Sequence, residues 1–261
     1  MFKSLNTAAT GMQAQQTNME VISNNLANVQ TTGFKRSRAE FDDLIYQNIK
    51  EPGAQSGLNA VSPTGIQTGI GVKTSAVQKD FEVGAAKVTG NDLDLMIEGQ
   101  GFFPIQLEDG QIGYTRDGSF KKDPAGRIVD RSGRPLVPEL TIPPGTMNIS
   151  VAENGEVQIQ TQAGSVPQTI GQIQTVSFVN PAGLKAMGKN TFIPTAASGV
   201  PNQGVPGQNE LGTISQGQIE GSNVNIVEEM VSMINAQRAY EMNSKAIQAS
   251  DSMLQSLNNL R

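Results

Sequence analysis

Asn225-Ile226-Val227-Glu228-Glu229-Met230-Val231-Ser232-Met233-Ile234 opens the stretch that decides the fold, because no Gly or Pro interrupts the chain from Ile226 to Arg261. Asn225 with Glu228 three residues on, just ahead of an apolar-periodic run, is a capping-box variant and predicts a helix start. Met233, Tyr240, Ile247 and Leu254 then recur at seven-residue steps, with Met230, Ile234 and Leu257 widening the face. At about 1.5 Å per residue such a helix reaches about 50 Å.

The opposite end mirrors this pattern. Leu5, Ala8, Met12, Gln15, Met19, Ile22, Leu26 and Val29 alternate steps of three and four, which predicts a helix from Lys3 to Val29, about 40 Å long. Thr31-Thr32-Gly33 stops it, with Gly33 as the C-terminal signal. The seam that the two helices would share is poor, since Gln15, Gln237, Ser244 and Asp251 stand where a stable coiled coil wants apolar residues. Such helices are marginal alone and gain stability by packing on further copies of themselves.

Between them, from about 35 to 220, Gly and Pro recur every few residues and the apolar segments are short. Leu93, Leu95 and Ile97 alternate with Asp92, Asp94 and Met96, the period of a strand with Asp92 and Asp94 on its solvated face. Asp109-Gly110, Asp117-Gly118 and Asn154-Gly155 are hairpin-turn signals, and 151–160, 164–170 and 172–179 read as further strands. The fold class is therefore mixed, with segregated α and β parts. Long N- and C-terminal helices pair as a coiled-coil-like tube domain around a central all-β module of short antiparallel strands. The expected division is a helix over 1–30, an extended connection over 31–83, a β domain over 84–205, a return connection over 206–224 and a helix over 225–261.

Composition narrows the chemistry. The 261 residues contain no His, Cys or Trp, which excludes thiol nucleophiles, Ser-His-Asp triads, disulfides and zinc or iron–sulfur sites built on those ligands. With 19 Lys and Arg against 24 Asp and Glu, the net charge is −5 and no basic stripe stands out. That argues against a nucleic-acid partner. No apolar run approaches the roughly 20 residues of a membrane span, and the N-terminus lacks the apolar stretch of a secretory signal peptide. The segment 183–190 nearly matches a phosphate-binding loop, but Asn190 offers no hydroxyl and Pro194 follows too closely for a helix, so a hairpin or loop is expected. Asp92 and Asp94 lack a third converging ligand for a divalent metal. Lys35, Arg36 and Arg38 either complement a helix C-terminus or pair with acids such as Glu228 and Glu229. The segment 46–63 reads as an 18-residue loop carrying Pro52, Gly53, Gly57 and Pro63. No catalytic, cofactor or metal constellation emerges.

Several motifs resemble one family in the right order. Asn24-Asn25-Leu26-Ala27-Asn28, then Thr32-Gly33-Phe34-Lys35, is similar to the N-terminal signature of bacterial flagellar rod and hook axial proteins. The segments 93–103, with Gly99, Gly101 and Phe102, and 114–120 resemble its central signatures. Asn223, Asn225, Gln237 and Arg238 lie in stretches resembling its C-terminal one. Residues 143–215 carry little of the signature. Length and the 46–63 stretch (Tyr46, Ile49, Pro52, Gly53, Leu58, Val61 and Pro63) are most similar to distal rod subunits; proximal rod and hook-type subunits are the alternatives within the family. Outside it, the alternative is a secreted carbohydrate-active β protein.

The resemblance implies a structural subunit, exported without a cleaved signal, that stacks helically into a hollow drive shaft across the periplasm. Terminal helices would form the inner tube and the β module the outer wall. Leu5, Met12, Met19, Ile22 and Leu26, with Met230, Met233, Ile234, Tyr240, Ile247, Leu254 and Leu257, would carry helix packing between subunits. Implied partners are further copies of the chain, proximal rod proteins, the hook protein, and the peptidoglycan-layer and outer-membrane ring proteins, with no nucleic acid and no direct membrane insertion. The 46–63 stretch would bridge neighbouring subunits and keep the shaft straight.

Overall fold

A computed structural model describes residues 2–51, 55–57, 60–61, 64–161 and 166–259. Helix α1 spans Phe2–Ala27 and helix α2 spans Ile226–Asn259, with short strands between them. The chain divides into two compact units, one of Met1–Ala27, Ser37–Gln78 and Asn225–Arg261, the other of Asn28–Arg36 and Lys79–Val224.

In the first unit α2 starts where its cap predicts. The Asn225 side-chain oxygen accepts from the Val227 amide at 3.1 Å, and the Asn225 carbonyl accepts from the Glu229 amide at 3.0 Å. Glu228 and Glu229 add negative charge to the first turn, where the helix dipole favours it. α1 and α2 pack along each other. A Cβ on Gly11 would lie 2.9 Å from the Asn243 amide nitrogen, and Asn25 donates to Glu229 at 3.2 Å. These two contacts are 14 residues apart on each helix and run in opposite senses, so the pair is antiparallel in one continuous register. Strand Ser37–Asp43 lies against α1 and pairs with Val72–Lys79. Beyond it, Gln47–Lys50 pairs antiparallel with Ile66–Thr68, and Gln55–Gly57 with Ala60–Val61. The stretch read as a loop over 46–63 therefore includes, among its described residues, strands paired as a ribbon. Its polar filler hid the strands, because Gln47–Lys50 and Ile66–Thr68 carry one apolar residue each and show no alternation.

Among its described residues the second unit is all-β apart from one turn of 3-10 helix, Pro181–Gly183. A four-stranded antiparallel sheet has the order Lys185–Gly188, Thr191–Ile193, Ile112–Thr115, Phe103–Gln106. A three-stranded sheet joins Asn148–Val151, Glu156–Gln160 and Gln168–Gln172. The return chain closes the unit, Thr213–Gln216 pairing with Leu95–Glu98 and Gln218–Glu220 with Ala86–Val88. Adjacent strand residues point to opposite faces. Phe103 accordingly enters the main core with Leu95, Ile97, Ile105, Phe120 and Leu136, while Phe102 enters a second cluster with Tyr114, Val176, Phe178 and Phe192. Phe81 packs edge-to-face on Phe102 and on Phe192, each at 5.4 Å between centroids.

Two turn signals act as expected. Asp109-Gly110 joins 103–106 to 112–115, and Asn154-Gly155 joins 148–151 to 156–160. The near phosphate loop is a hairpin in which Lys189 and Asn190, both at positive φ, link 185–188 to 191–193. Other expectations need correction. The strand boundaries over 151–179 shift to Asn148–Val151, Glu156–Gln160, Gln168–Gln172 and Thr175–Ser177. Asp94 is buried, accepting from Thr89 at 2.6 Å and Asn91 at 3.2 Å, and Met96 is buried as well, because this strand is covered on both faces. α1 ends at Ala27, and Gly33 is no helix terminator. It holds φ +67 where a Cβ would meet the Arg116 backbone at 2.8 Å, so residues 32–34 dock on the β core.

Asp117-Gly118 makes no hairpin. The Gly118 carbonyl accepts from the Leu95 amide, and a Cβ at Gly118 would sit 1.6 Å from the Leu95 carbonyl oxygen. Gly118→Ala must push two chain segments apart and is expected to cost about 1–3 kcal/mol. An unchanged urea midpoint for that variant would contradict this packing.

Candidate functional site

The first feature is a polar junction at one end of the helix pair. Asn25 is 1% exposed; its amide oxygen accepts from the Ser37 backbone nitrogen at 2.9 Å, and its NH₂ group donates to the Ser37 carbonyl at 2.8 Å and to a Glu229 carboxylate oxygen at 3.2 Å. A side-chain amide thus replaces one rung of a β ladder, holding the return strand to α1. Asn223 works in the same way in the other unit. Its oxygen accepts from the Arg36 amide at 2.7 Å, and its nitrogen donates to the carbonyls of Asp80 and Glu82 at 3.0 and 3.4 Å. Asn25 and Asn223 are thus backbone clasps, which suits an amide, donor and acceptor side by side.

The second feature is a buried ion cluster in the β unit. Lys35, from the N-terminal segment, donates to Glu220 at 2.6 Å and to the Glu82 carbonyl at 2.5 Å. Arg116 reaches the other Glu220 oxygen at 3.3 Å and the Gly99 carbonyl at 2.7 Å, with its guanidinium over the Phe102 ring. All three side chains are within 2% of complete burial. Burial pulls the lysine ammonium below its ordinary pKa, opposed by the Glu220 carboxylate, and pulls the Arg116 guanidinium down in the same way. Two cations share one carboxylate, and Arg116 Nε has no partner among the described residues. For Lys35 the partner is thus Glu220, neither Glu228 nor Glu229. Arg36 pairs with Asp80 at 3.3 Å and Arg38 with Glu40 at 3.2 Å. Glu220 gave no sequence signal, because strand alternation after Ile219 assigns it to solvent.

The third feature is apolar surface. Val227, Met230, Val231 and Ile234 follow the i, i+3, i+4, i+7 pattern of one helix face, and all four are exposed. Ile226, Met242 and Met253 are exposed as well. On the ribbon, Ile45, Tyr46, Ile49 and Ile66 are exposed.

The remaining candidates are distributed as follows. Ile22 is buried; Leu5, Met12, Met19, Leu26, Met233, Ile247 and Leu254 are half-buried; Met230, Ile234 and Tyr240 are exposed. Phe34 and Phe102 are buried, Asn28 half-buried, and Asn24, Gln237 and Arg238 exposed. Pro52, Gly53, Leu58 and Pro63 lie outside the described residues, as do the side chains of Val61 and Leu257. Val227 and Val231 lie off the seven-residue row from Met233, so that row gives them no signal. Among the described residues no group of three or more His, Cys, Asp or Glu is placed to hold a metal, and no helix is long and apolar enough to cross a membrane.

The geometry is therefore that of packing elements: clasps, a buried clamp and uncovered apolar faces. Three family models match the chain: the flagella basal body rod protein over residues 5–35, the flagellar hook protein FlgE/F/G D1 domain over 96–159, and the flagellar basal body rod FlgEFG protein C-terminal region over 215–260. The class is that of flagellar rod and hook proteins. Over 260 residues the chain is 48% identical to the flagellar basal-body rod protein FlgG of Buchnera aphidicola subsp. Schizaphis graminum, covering all of both chains. It is 47% identical to that of Caulobacter vibrioides, with 99% of each covered, and 48% identical to that of Borreliella burgdorferi, with 100% of this chain and 99% of the relative covered. The chain belongs to the FlgG family of flagellar basal-body rod proteins. It is a structural protein of the flagellum and not an enzyme.

Proposed function

We infer that this chain is a distal rod subunit that polymerises helically into a hollow drive shaft, transmitting torque to the hook. The observation carrying this reading is the exposed face of Val227, Met230, Val231 and Ile234 on α2. A soluble chain seldom leaves such a stripe uncovered without a partner for it. Further copies of the chain, meeting side by side, are the natural cover. Repetition then shares the load: each contact is modest, and dense packing along the shaft supplies torsional stiffness.

In this reading residues 1–30 and 225–261 form a coiled-coil-like inner tube in which Leu5, Met12, Met19, Leu26, Met230, Ile234 and Tyr240 meet neighbouring subunits. Residues 84–205 form the outer wall, with 31–83 and 206–224 as connections. The shaft crosses the periplasm, and its subunits are exported without a cleaved signal. Its partners are proximal rod proteins below, the hook protein above, and the peptidoglycan-layer and outer-membrane rings around it. Electron microscopy of concentrated purified chain tests polymerisation: straight tubes support it, and dispersed monomers at every concentration count against it.

The ribbon has its own role. Ile45, Tyr46 and Ile49 are exposed, and a two-stranded ribbon is marginal in water without cover. Neighbouring subunits would supply that cover and gain a bridge that resists bending. Deleting residues 46–63 should leave the chain folded and exported but give bent or irregular rods. Straight, stiff rods in basal bodies carrying the deletion would reduce the ribbon to a tolerated surface feature.

A further inference from the structure

We propose that the Asn25–Glu229 pair sets the register of α1 on α2, with both as positioning residues for the assembly face. Two rows of α2 repeat at seven-residue spacing: Met233, Tyr240, Ile247 and Leu254, and beside it Glu229, Ala236, Asn243 and Ser250. On α1 the corresponding rows are Ala8, Gln15 and Ile22, and Gly11, Asn18 and Asn25. The observed register places Gly11 at Asn243 and Asn25 at Glu229. A slide of seven residues, about 10 Å along the axis, would put Gly11 at Ser250, Asn18 at Asn243 and Asn25 at Ala236. Each α1 row would still lie along the same α2 row, and Asn18 would meet Asn243 where Gly11 did. Packing therefore discriminates weakly between the two registers. A slide in the other sense carries Asn25 beyond the start of α2 at Ile226.

Glu229 breaks the degeneracy. It is 6% exposed, and in the slid register it would lose the Asn25 donor at this depth, while Asn25 would face the methyl group of Ala236. The Asn25 amide cannot turn to seek another acceptor, because the Ser37 amide and carbonyl fix both its oxygen and one N–H. Its second N–H is thereby aimed at one height on α2. A buried amide and a buried carboxylate left unpaired are costly, whereas a satisfied pair adds little stability but selects one arrangement. This is the use of a buried polar residue best attested in helix pairs. The consequence for assembly rests on the reading given above: a slid register would displace the Val227–Ile234 face relative to α1 by the same 10 Å or so.

The absence of cysteine makes the register directly measurable. In the full chain, at dilution where it is monomeric, Gly11→Cys with Asn243→Cys reports the observed register, and Gly11→Cys with Ser250→Cys the slid one. Intramolecular links are separated from intermolecular ones by mass. With Glu229 present, the 11–243 link should dominate. Glu229→Ala makes the two registers nearly alike and, Ala being the strongest helix former, keeps α2 helical. It should raise the 11–250 yield relative to 11–243 by roughly tenfold or more. Glu229→Gln, which keeps an acceptor oxygen without the charge, should behave as the parent. An unchanged link pattern in Glu229→Ala would overturn the proposal, because the chain connections alone would then hold the register. Slippage in Glu229→Gln equal to that in Glu229→Ala would overturn it too, by assigning the effect to charge at the helix start. The readout is taken on the single chain, so it stands or falls independently of polymerisation.

Discussion

Glu220→Gln should destabilise the β unit by about 3–5 kcal/mol, the range for removing one partner of a buried ion pair. The substitution keeps the shape and an acceptor for the Gly84 amide, which donates to Glu220 at 2.9 Å. It leaves Lys35 and Arg116, both buried, as cations without the carboxylate they share. Against a total stability of about 5–15 kcal/mol, that is a large fraction. Lys35→Met should do far less, under about 1.5 kcal/mol, because it is close to volume-conserving and leaves one cation on one carboxylate. The lowered lysine pKa points the same way: its desolvation, together with repulsion from Arg116, outweighs its attraction to Glu220 and Asp80. Urea midpoints of the two variants decide the matter. Equal losses would mean that the pairwise bonds, and not the charge balance, govern the cluster.

The second large effect is on assembly. Val231→Asp combined with Ile234→Asp places two carboxylates on the apolar stripe of α2. Both positions are about half exposed in the single chain, at 52% and 46%. The folded chain should therefore keep its midpoint within about 0.5 kcal/mol. In a polymer that covers this face, each unpaired charge costs several kcal/mol, raising the concentration needed for assembly by about a hundredfold or more. Cells carrying the variant should export it and fail to swim. Ile247 is a less informative site for the same test, because it is half-buried in the row with Met233 and Leu254, so a charge there also damages the chain's own helix pair. Normal tubes from the double variant would remove this face from the interface.

Much of the fold was legible because it follows from local rules. The Asn225 cap, the Gly- and Pro-free run behind it, and the turns at Asp109-Gly110 and Asn154-Gly155 act through neighbouring residues only. What escaped depends on distant chain. Asp117-Gly118 carries the same dipeptide as a hairpin turn, yet its glycine is required by the Leu95 carbonyl, 23 residues earlier in sequence. Lys35 and Glu220 meet across 185 residues, and no window of sequence contains both. Alternation assigned Asp94 to solvent, whereas Thr89 and Asn91 satisfy it inside. The pairing of 47–50 with 66–68 escaped for a different reason: each strand carries one apolar residue, Ile49 or Ile66, too few for a period to announce it.

The site was legible in part. Asn25 and Asn223 stood out as motif residues, but their work as substitutes for backbone rungs needs the strand and loop that they clasp. The seven-residue row of α2, with Met230 and Ile234 beside it, was visible in sequence; Val227 and Val231, which complete the exposed face, stand out only by their exposure.

The central claim, that this chain is a rod subunit polymerising through the free face of α2, is tested most directly by helical reconstruction of tubes grown from the purified chain. The expected density shows a hollow shaft lined by α1 and α2, with Val227, Met230, Val231 and Ile234 buried against a neighbouring copy. A tube in which those four side chains remain in solvent, with copies joined through the β unit alone, would contradict it.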